Sequence, residues 1–302
     1  MITPQIKTIL VPIDFTEKSN NALKVASKMA LRHEAKLIVV HMVHTYYVVD
    51  RGGKQVIGSQ TVQDNIDRAK RKLDKIHQSV TQKYPLEVEP RIGTQGMVDC
   101  INDYVINDNV DLVVMGMSGQ QRVKQFILGS NSYQVLLHAN CSVLLVPEKF
   151  KKTSFKKILL PVRVKHELEH KAALSLLMAD KNEGGINLLG VGDPESELDV
   201  KEAYIDLKKN LLLKSADYLA EFHLSHDNAE IIAQAAVEKN SDIILLADED
   251  EESWKSFMGD NFFKKMINKT DIPLLIVKSK LKRIENNPDQ PSGFDITLPI
   301  PG

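Results

Sequence analysis

The chain repeats itself. KTILVPID at Lys7–Asp14 returns as KKILLPVR at Lys156–Arg163, and DLVVMG at Asp111–Gly116 returns as DIILLA at Asp242–Ala247. From the second match onward the offset is a constant 131, which also sets CSVLLV (Cys141–Val146) against IPLLIV (Ile272–Val277). Solenoids repeat every 20–50 residues or so; a period of domain length means tandem copies of one domain. At 302 residues, each copy is large enough to bury a core of its own.

Within the first copy, the short apolar runs TILVPI, KLIVVHMV, LEVEPRI, DLVVMG and SVLLVP alternate with longer segments of helical period. In one of these, Val62, Ile66, Ala69, Leu73, Ile76 and Val80 step by three and four and make one apolar helix face. Val/Ile/Leu runs without strict alternation suit strands buried on both faces, and strands alternating with helices imply right-handed parallel crossovers. Each copy therefore reads as an α/β, doubly wound, Rossmann-like domain with a five-stranded parallel sheet. The second copy follows the same plan, with GINLLGVG as its second strand and SADYLAEFHL as a weak third. The expected division is 1–150 and 151–280, joined through the polar KFKKTSFKK, with 281–302 an extended tail rich in proline and glycine.

The charges nearly cancel, at a formal net charge of -1, and no Lys/Arg block is dense enough to serve as a footprint for nucleic acid. No signal-like or bilayer-length apolar run occurs, so a cytoplasmic location without membrane contact is expected. Cys100 and Cys141 fit buried, reduced thiols better than a disulfide framework.

The chemistry concentrates in GMSGQQRVKQFILGS, Gly116–Ser130, directly after the fourth apolar run. In doubly wound sheets, ligands lie beyond the carboxyl ends of the strands, which puts this loop at a site. Gly116 and Gly119 would let backbone N–H groups approach an anion that a side chain would block. Gly129 then opens the helix SNSYQVLLHAN, whose first amides and positive dipole end, with the hydroxyls of Ser130 and Ser132, complete a polyphosphate cradle. The plainer alternative is glycines that punctuate a loop and cap a helix. The motif is neither a Walker loop nor G-x-G-x-x-G.

With this motif the first copy resembles the ATP-binding branch of the universal stress protein family, whose G-2x-G-9x-G-[S/T] pattern is matched by Gly116, Gly119, Gly129 and Ser130. The resemblance extends to the opening strand ILVPIDF and the closing HANCSVLLVP and covers residues 5–147. It implies that Pro12, Ile13 and Asp14 lie beside the adenosine, with Met42 near the base. It further implies that Gly116, Gly119, Gly129, Ser130, Asn131 and Ser132 hold the phosphates of ATP; Mg2+ could ride on those phosphates, although no dense carboxylate cluster in the first copy demands it. Asp14 also reads as a helix N-cap. The family's habit of pairing through fifth strands implies that Val143–Val146 packs against Leu274–Val277, so that the chain imitates a homodimer.

The second copy has lost the motif. Gly116 becomes Ala247, Gly119 becomes Asp250, Gly129 becomes Asp260, and Asp14 becomes Arg163. The loop Asp248–Glu252 carries five carboxylates. One unit charge about 4 Å from a phosphate costs roughly 4 kcal/mol at an effective dielectric of 20, so exclusion of a triphosphate is expected.

KHELEHK holds His166-Glu167-x-x-His170, the spacing of zinc proteases, with Glu195 as a possible third ligand. Leu168, Ala172, Leu176 and Ala179 form the buried stripe of that helix, so both histidines face solvent. Three functions follow: a regulatory ATP-binding protein with slow hydrolysis at most and an unidentified protein partner, a scaffold with a vestigial site, and, distantly, a metal-dependent hydrolase.

Overall fold

The computed structural model describes residues 4–43, 47–50, 53–56, 59–117, 130–163, 168–212, 218–251 and 262–278. The first copy runs β1 (Thr8–Pro12), α1 (Glu17–His33), β2 (Lys36–Met42), β3 (Tyr47–Asp50), β4 (Gly53–Val56), α2 (Ser59–Lys83), β5 (Val88–Gly93), α3 (Met97–Asn107), β6 (Leu112–Met117), α4 (Ser130–His138) and β7 (Ser142–Pro147). The second runs β8 (Lys157–Val162), α5 (Leu168–Asn182), β9 (Gly185–Gly192), α6 (Glu197–Leu212), β10 (Tyr218–Leu224), α7 (Asn228–Glu238), β11 (Ile243–Ala247), α8 (Phe262–Lys269) and β12 (Leu274–Val277).

Ten strands form one sheet in the order β10-β9-β8-β11-β12-β7-β6-β1-β2-β5. Pairing is parallel within each copy and antiparallel only at the centre, where Leu145, Leu144 and Val143 of β7 face Leu274, Leu275 and Ile276 of β12. Strand side chains alternate between two apolar layers. Ile9, Val11, Leu37 and Val39 pack with Ala22, Val25 and Met29 of α1 and Leu73 and Val80 of α2. On the other face Leu10, Ile38 and Val40 pack with Cys100 and Ile101 of α3 and Val135 and Leu136 of α4. Both layers continue across the central pair into the second copy, reaching Met178 on one face and Ile232 and Phe263 on the other.

The backbone repeats as faithfully as the sequence. Ile9 pairs with Leu112 as Ile158 pairs with Ile243, and Met115 with Leu145 as Leu246 with Ile276. Left-handed residues recur at matching places, Glu34 (φ 54°) with Glu183 (φ 50°) and Asn109 with Asn240 (both φ 51°). The aspartate that opens each DLVV/DIIL run has one job twice. Asp111 Oδ2 accepts from the amides of Lys7 and Thr8 at 2.7 and 3.0 Å, and Asp242 Oδ2 from those of Lys156 and Lys157 at 2.9 and 3.0 Å. Each ties the start of its copy's fourth strand to the start of the first.

Three features differ from the sequence reading or add to it. The hairpin β3–β4 pairs Tyr47 with Val56 through Asp50 with Gly53 and stands apart from the main sheet. The connector that reads as polar is pinned to both copies: Asn21 Nδ2 donates to the carbonyls of Pro147 and Phe150, Lys152 pairs with Asp242 at 2.6 Å, and Phe155 is buried with its amide on Asn182 Oδ1. The weak third strand of the second copy is β10, in parallel register with β9. Its pattern is faint because it is an edge strand, with Leu219 60% and Leu224 45% exposed. The tail at 281–302 lies outside the described residues. No described helix is long and apolar enough to cross a membrane, and both cysteines are buried and unbridged.

Candidate functional site

In the first copy the chain leaves β1 toward β2 and β5 and returns on the other side as β6 and β7. The reversal makes the carboxyl ends of β1 and β6 the place where such a sheet opens. Registered pairing between the two covers only Ile9–Leu112 and Leu10–Val113, although β1 continues to Pro12 and β6 to Met117.

Pro12, Ile13 and Asp14 stand at the β1 end of this switch point. Pro12 and Ile13 are buried. Ile13 donates its amide to Val40 O at 2.8 Å and accepts from His41 Nδ1 at 2.7 Å, which fixes the strand end against β2. Phe15, at φ 64°, then turns the chain, with its ring 4.4 Å from that of His41 and 4.7 Å below the Lys72 ammonium. Asp14 is exposed and is not the helix cap: Thr16 caps α1, accepting from the Ser19 amide. The Asp14 carboxylate accepts from the amide and hydroxyl of Thr16 at 3.0 and 2.5 Å. Partial burial pushes its pKa up, but hydrogen bonds from Ser19 and Thr16 and the charge of Lys18 outweigh that and hold it below the usual value. The carboxylate stays ionised at the mouth of the crevice.

Gly116 lies on the opposite side, inside β6 and opposite Val146 rather than past the strand end. A Cβ there would stand 2.5 Å from the carbonyl oxygen of Lys18, so its bare backbone is already required by the first turn of α1. Met42 ends β2, and its buried side chain packs on Gly93 and the Cys100 thiol. Ser130, Asn131 and Ser132 form the first turn of α4, with Ser132 half-buried. Gly119 and Gly129 lie outside the described residues. Thr16, Ser19 and His41 escaped the sequence reading, although a threonine directly before the helical run is a legible N-cap signal.

The matching crevice of the second copy, between β8 and β11, is filled by its own side chains. Lys171 is 1% exposed; its ammonium donates to Pro161 O at 2.5 Å and to Asp250 Oδ2 at 3.2 Å. The same oxygen accepts the Ala247 amide at 2.7 Å. Arg163 donates to the Asp250 carbonyl at 2.8 Å, lies 3.7 Å from Asp250 Oδ1, and stacks its guanidinium 3.6 Å from the centre of the Phe262 ring. Asp250 therefore points inward as an ion-pair partner, and Asp248 is paired with Lys278 at 3.3 Å. The described part of the acidic loop thus has Asp250 and Asp248 held in ion pairs. His170 is exposed on α5, Glu195 sits in a short 3-10 turn, and His166 lies outside the described residues. The described residues contain no group of three or more His, Cys, Asp and Glu able to hold a metal ion.

The model of the universal stress protein family matches residues 5–147. A universal stress protein of Thermus aquaticus is 30% identical over 141 residues, 46% of this chain and 98% of the relative. A putative universal stress protein of Staphylococcus aureus is 29% identical over 143 residues, 46% of this chain and 83% of its own length. The crystal structure of a universal stress protein from Archaeoglobus fulgidus superposes on 91% of this chain and 99% of its own, with a TM-score of 0.71 at 15% identity, a likeness of fold across both copies.

Proposed function

Because this chain belongs to the universal stress protein family, we propose that it is a nucleotide-dependent regulator in which the first domain, 1–150, binds ATP and the second, 151–280, does not. The observation that carries this reading is the contrast between two crevices on one backbone plan. The second is plugged by Lys171, Asp250 and Arg163, whereas the first has the small Ala22 where the second has Lys171, and an outward Asp14 where it has Arg163. The residues of the first crevice fit a nucleotide: a strand end at a topological switch point, an ionised carboxylate at its mouth, and a helix start with serine hydroxyls.

In this reading Pro12, Ile13 and Asp14 hold the adenosine, and Met42 contributes through its place at the end of β2, since its side chain is buried. Gly116, Gly119, Gly129, Ser130, Asn131 and Ser132 receive the phosphates, with a divalent cation carried on them. Gly116 does so as part of a strand whose fit to α1 already demands glycine. Bound nucleotide would supply charge and bulk at the crevice, and the chain's residues would orient it. A second reading, a scaffold whose site is vestigial, draws on the antiparallel β7–β12 join, which makes the chain its own dimer. The cytoplasm is the compartment that suits both.

Ser130→Ala separates the two. A hydrogen bond to a charged group contributes about 1.5–3 kcal/mol, so ATP affinity should fall by roughly one to two decades with the fold intact. Calorimetry that finds the same affinity in both proteins would remove Ser130 from the site. A wild-type protein that binds no nucleotide would leave the scaffold standing.

A further inference from the structure

The second crevice contains more than a plug. An ammonium, a guanidinium and a backbone amide converge at the carboxyl ends of β8 and β11, the position where doubly wound sheets take ligands. That is the donor set of an anion site. What it holds is a carboxylate of the same chain, with the Asp250 side chain 0% and the Lys171 side chain 1% exposed. The Asp250 Oδ1 atom is buried and accepts no hydrogen bond among the described residues, although it lies 3.7 Å from the Arg163 guanidinium.

Three positions differ between the two copies at this point. In the aligned registers Lys171 stands where the first copy has Ala22, Arg163 where it has Asp14, and Asp250 where it has Gly119. The fully buried Asp250 carboxylate needs a cation beside it, and it has Lys171 at 3.2 Å and Arg163 at 3.7 Å. The Lys171 ammonium also caps the carbonyl of Pro161, the counterpart of Pro12, so the plug is anchored to the strand end itself.

We propose that the second domain retains an anion-binding site at its strand ends, built from Lys171, Arg163 and the Ala247 amide, and that Asp250 is its built-in ligand, closing it to phosphate groups. The site does not depend on whether the first domain binds nucleotide. Its ligand class is a phosphate or pyrophosphate group, whose oxygens would take the place of the Asp250 carboxylate.

The test uses the full-length chain and inorganic pyrophosphate, titrated in parallel into wild type, Asp250→Ala and Asp250→Asn. Wild type reports whatever the first domain binds, so the second site is read as the difference. Asp250→Ala should bind one more pyrophosphate per chain than wild type. Its melting temperature should rise with pyrophosphate and not with chloride at equal ionic strength. Adding Lys171→Met should abolish the extra site. Should Asp250→Ala not fold alone, pyrophosphate in the refolding buffer should restore it, whereas Asp250→Asn, which keeps the space filled and an acceptor for the Ala247 amide, should bind no more pyrophosphate than wild type. A folded Asp250→Ala with no additional site, an extra site that survives Lys171→Met, or refolding of Asp250→Ala indifferent to pyrophosphate would each overturn the proposal.

Discussion

At the end of β1 the carboxylate of Asp14 faces outward, held by Thr16 and ionised, while at the matching end of β8 Arg163 is drawn inward over Phe262 and onto Asp250. The backbones around the two points are closely matched, down to the register of their strands and the aspartate staples at their base. What separates them is a handful of side chains at the strand ends. A doubly wound sheet presents an opening at its switch point whatever its sequence, and the sequence decides whether that opening faces a ligand or is satisfied internally.

The largest effect should come from unplugging the second domain. Asp250→Ala removes the carboxylate from the buried Lys171–Asp250 pair, and breaking a buried ion pair costs about 3–5 kcal/mol. Urea unfolding should show that loss, whereas Asp14→Ala, at an exposed carboxylate, should cost less than about 1 kcal/mol. Equal losses at the two positions would erase the contrast.

A second effect separates the first helices of the two copies. His33 ends α1 as Asn182 ends α5. Asn182 is satisfied by Phe155 and Met178, but His33 is buried with no partner for Nε2 among the described residues. Burial, with the charges of Arg32 and Lys181, pushes its pKa down to about 4. The unfolded chain, with an ordinary histidine near 6.5, takes up the proton first as pH falls. Stability should therefore drop between about pH 6.5 and 4, by roughly 3 kcal/mol from this group. His33→Asn, the second domain's own choice, should remove that slope in the difference between the two unfolding curves; parallel curves would show that His33 is neutral to folding.

Smaller again is the effect of giving β6 the residue that β11 carries. Gly116→Ala puts a methyl 2.5 Å from the Lys18 carbonyl, a backbone clash worth about 1–3 kcal/mol of overpacking. Thermal unfolding of the variant should show it, and unchanged stability would mean that α1 yields freely and that Gly116 is retained for ligand approach alone.

How much of this was legible follows from where each signal resides. The repeat, the apolar runs and the α2 stripe specify the two doubly wound halves of the sheet because burial on both faces writes itself into every strand residue. The hairpin β3–β4 was missed although Tyr46, Tyr47, Val48 and Val49 followed by Gly52-Gly53 carry the pattern; it lies between a strand and a helix where a crossover was expected. At the strand ends, the sequence singles out glycines and serines as candidates but not Lys171. A lysine next to the apolar stripe of a helix looks solvated until its partners are known, and Asp250 and Pro161 are 79 and 10 residues away in sequence. Likewise the acidic loop reads as a field of exposed charge, when its Asp250 is a buried counter-ion.

The central claim, one working crevice per chain, is tested most directly by calorimetric titration of ATP and Mg2+ into the full-length protein. The account expects a stoichiometry of one, unchanged by Lys171→Met/Asp250→Leu, which keeps the second crevice filled with apolar side chains of similar size. A stoichiometry of two in wild type would mean that the Lys171–Asp250 pair opens to nucleotide, and a stoichiometry that falls in the double variant would place the site in the second domain; either result would contradict the account.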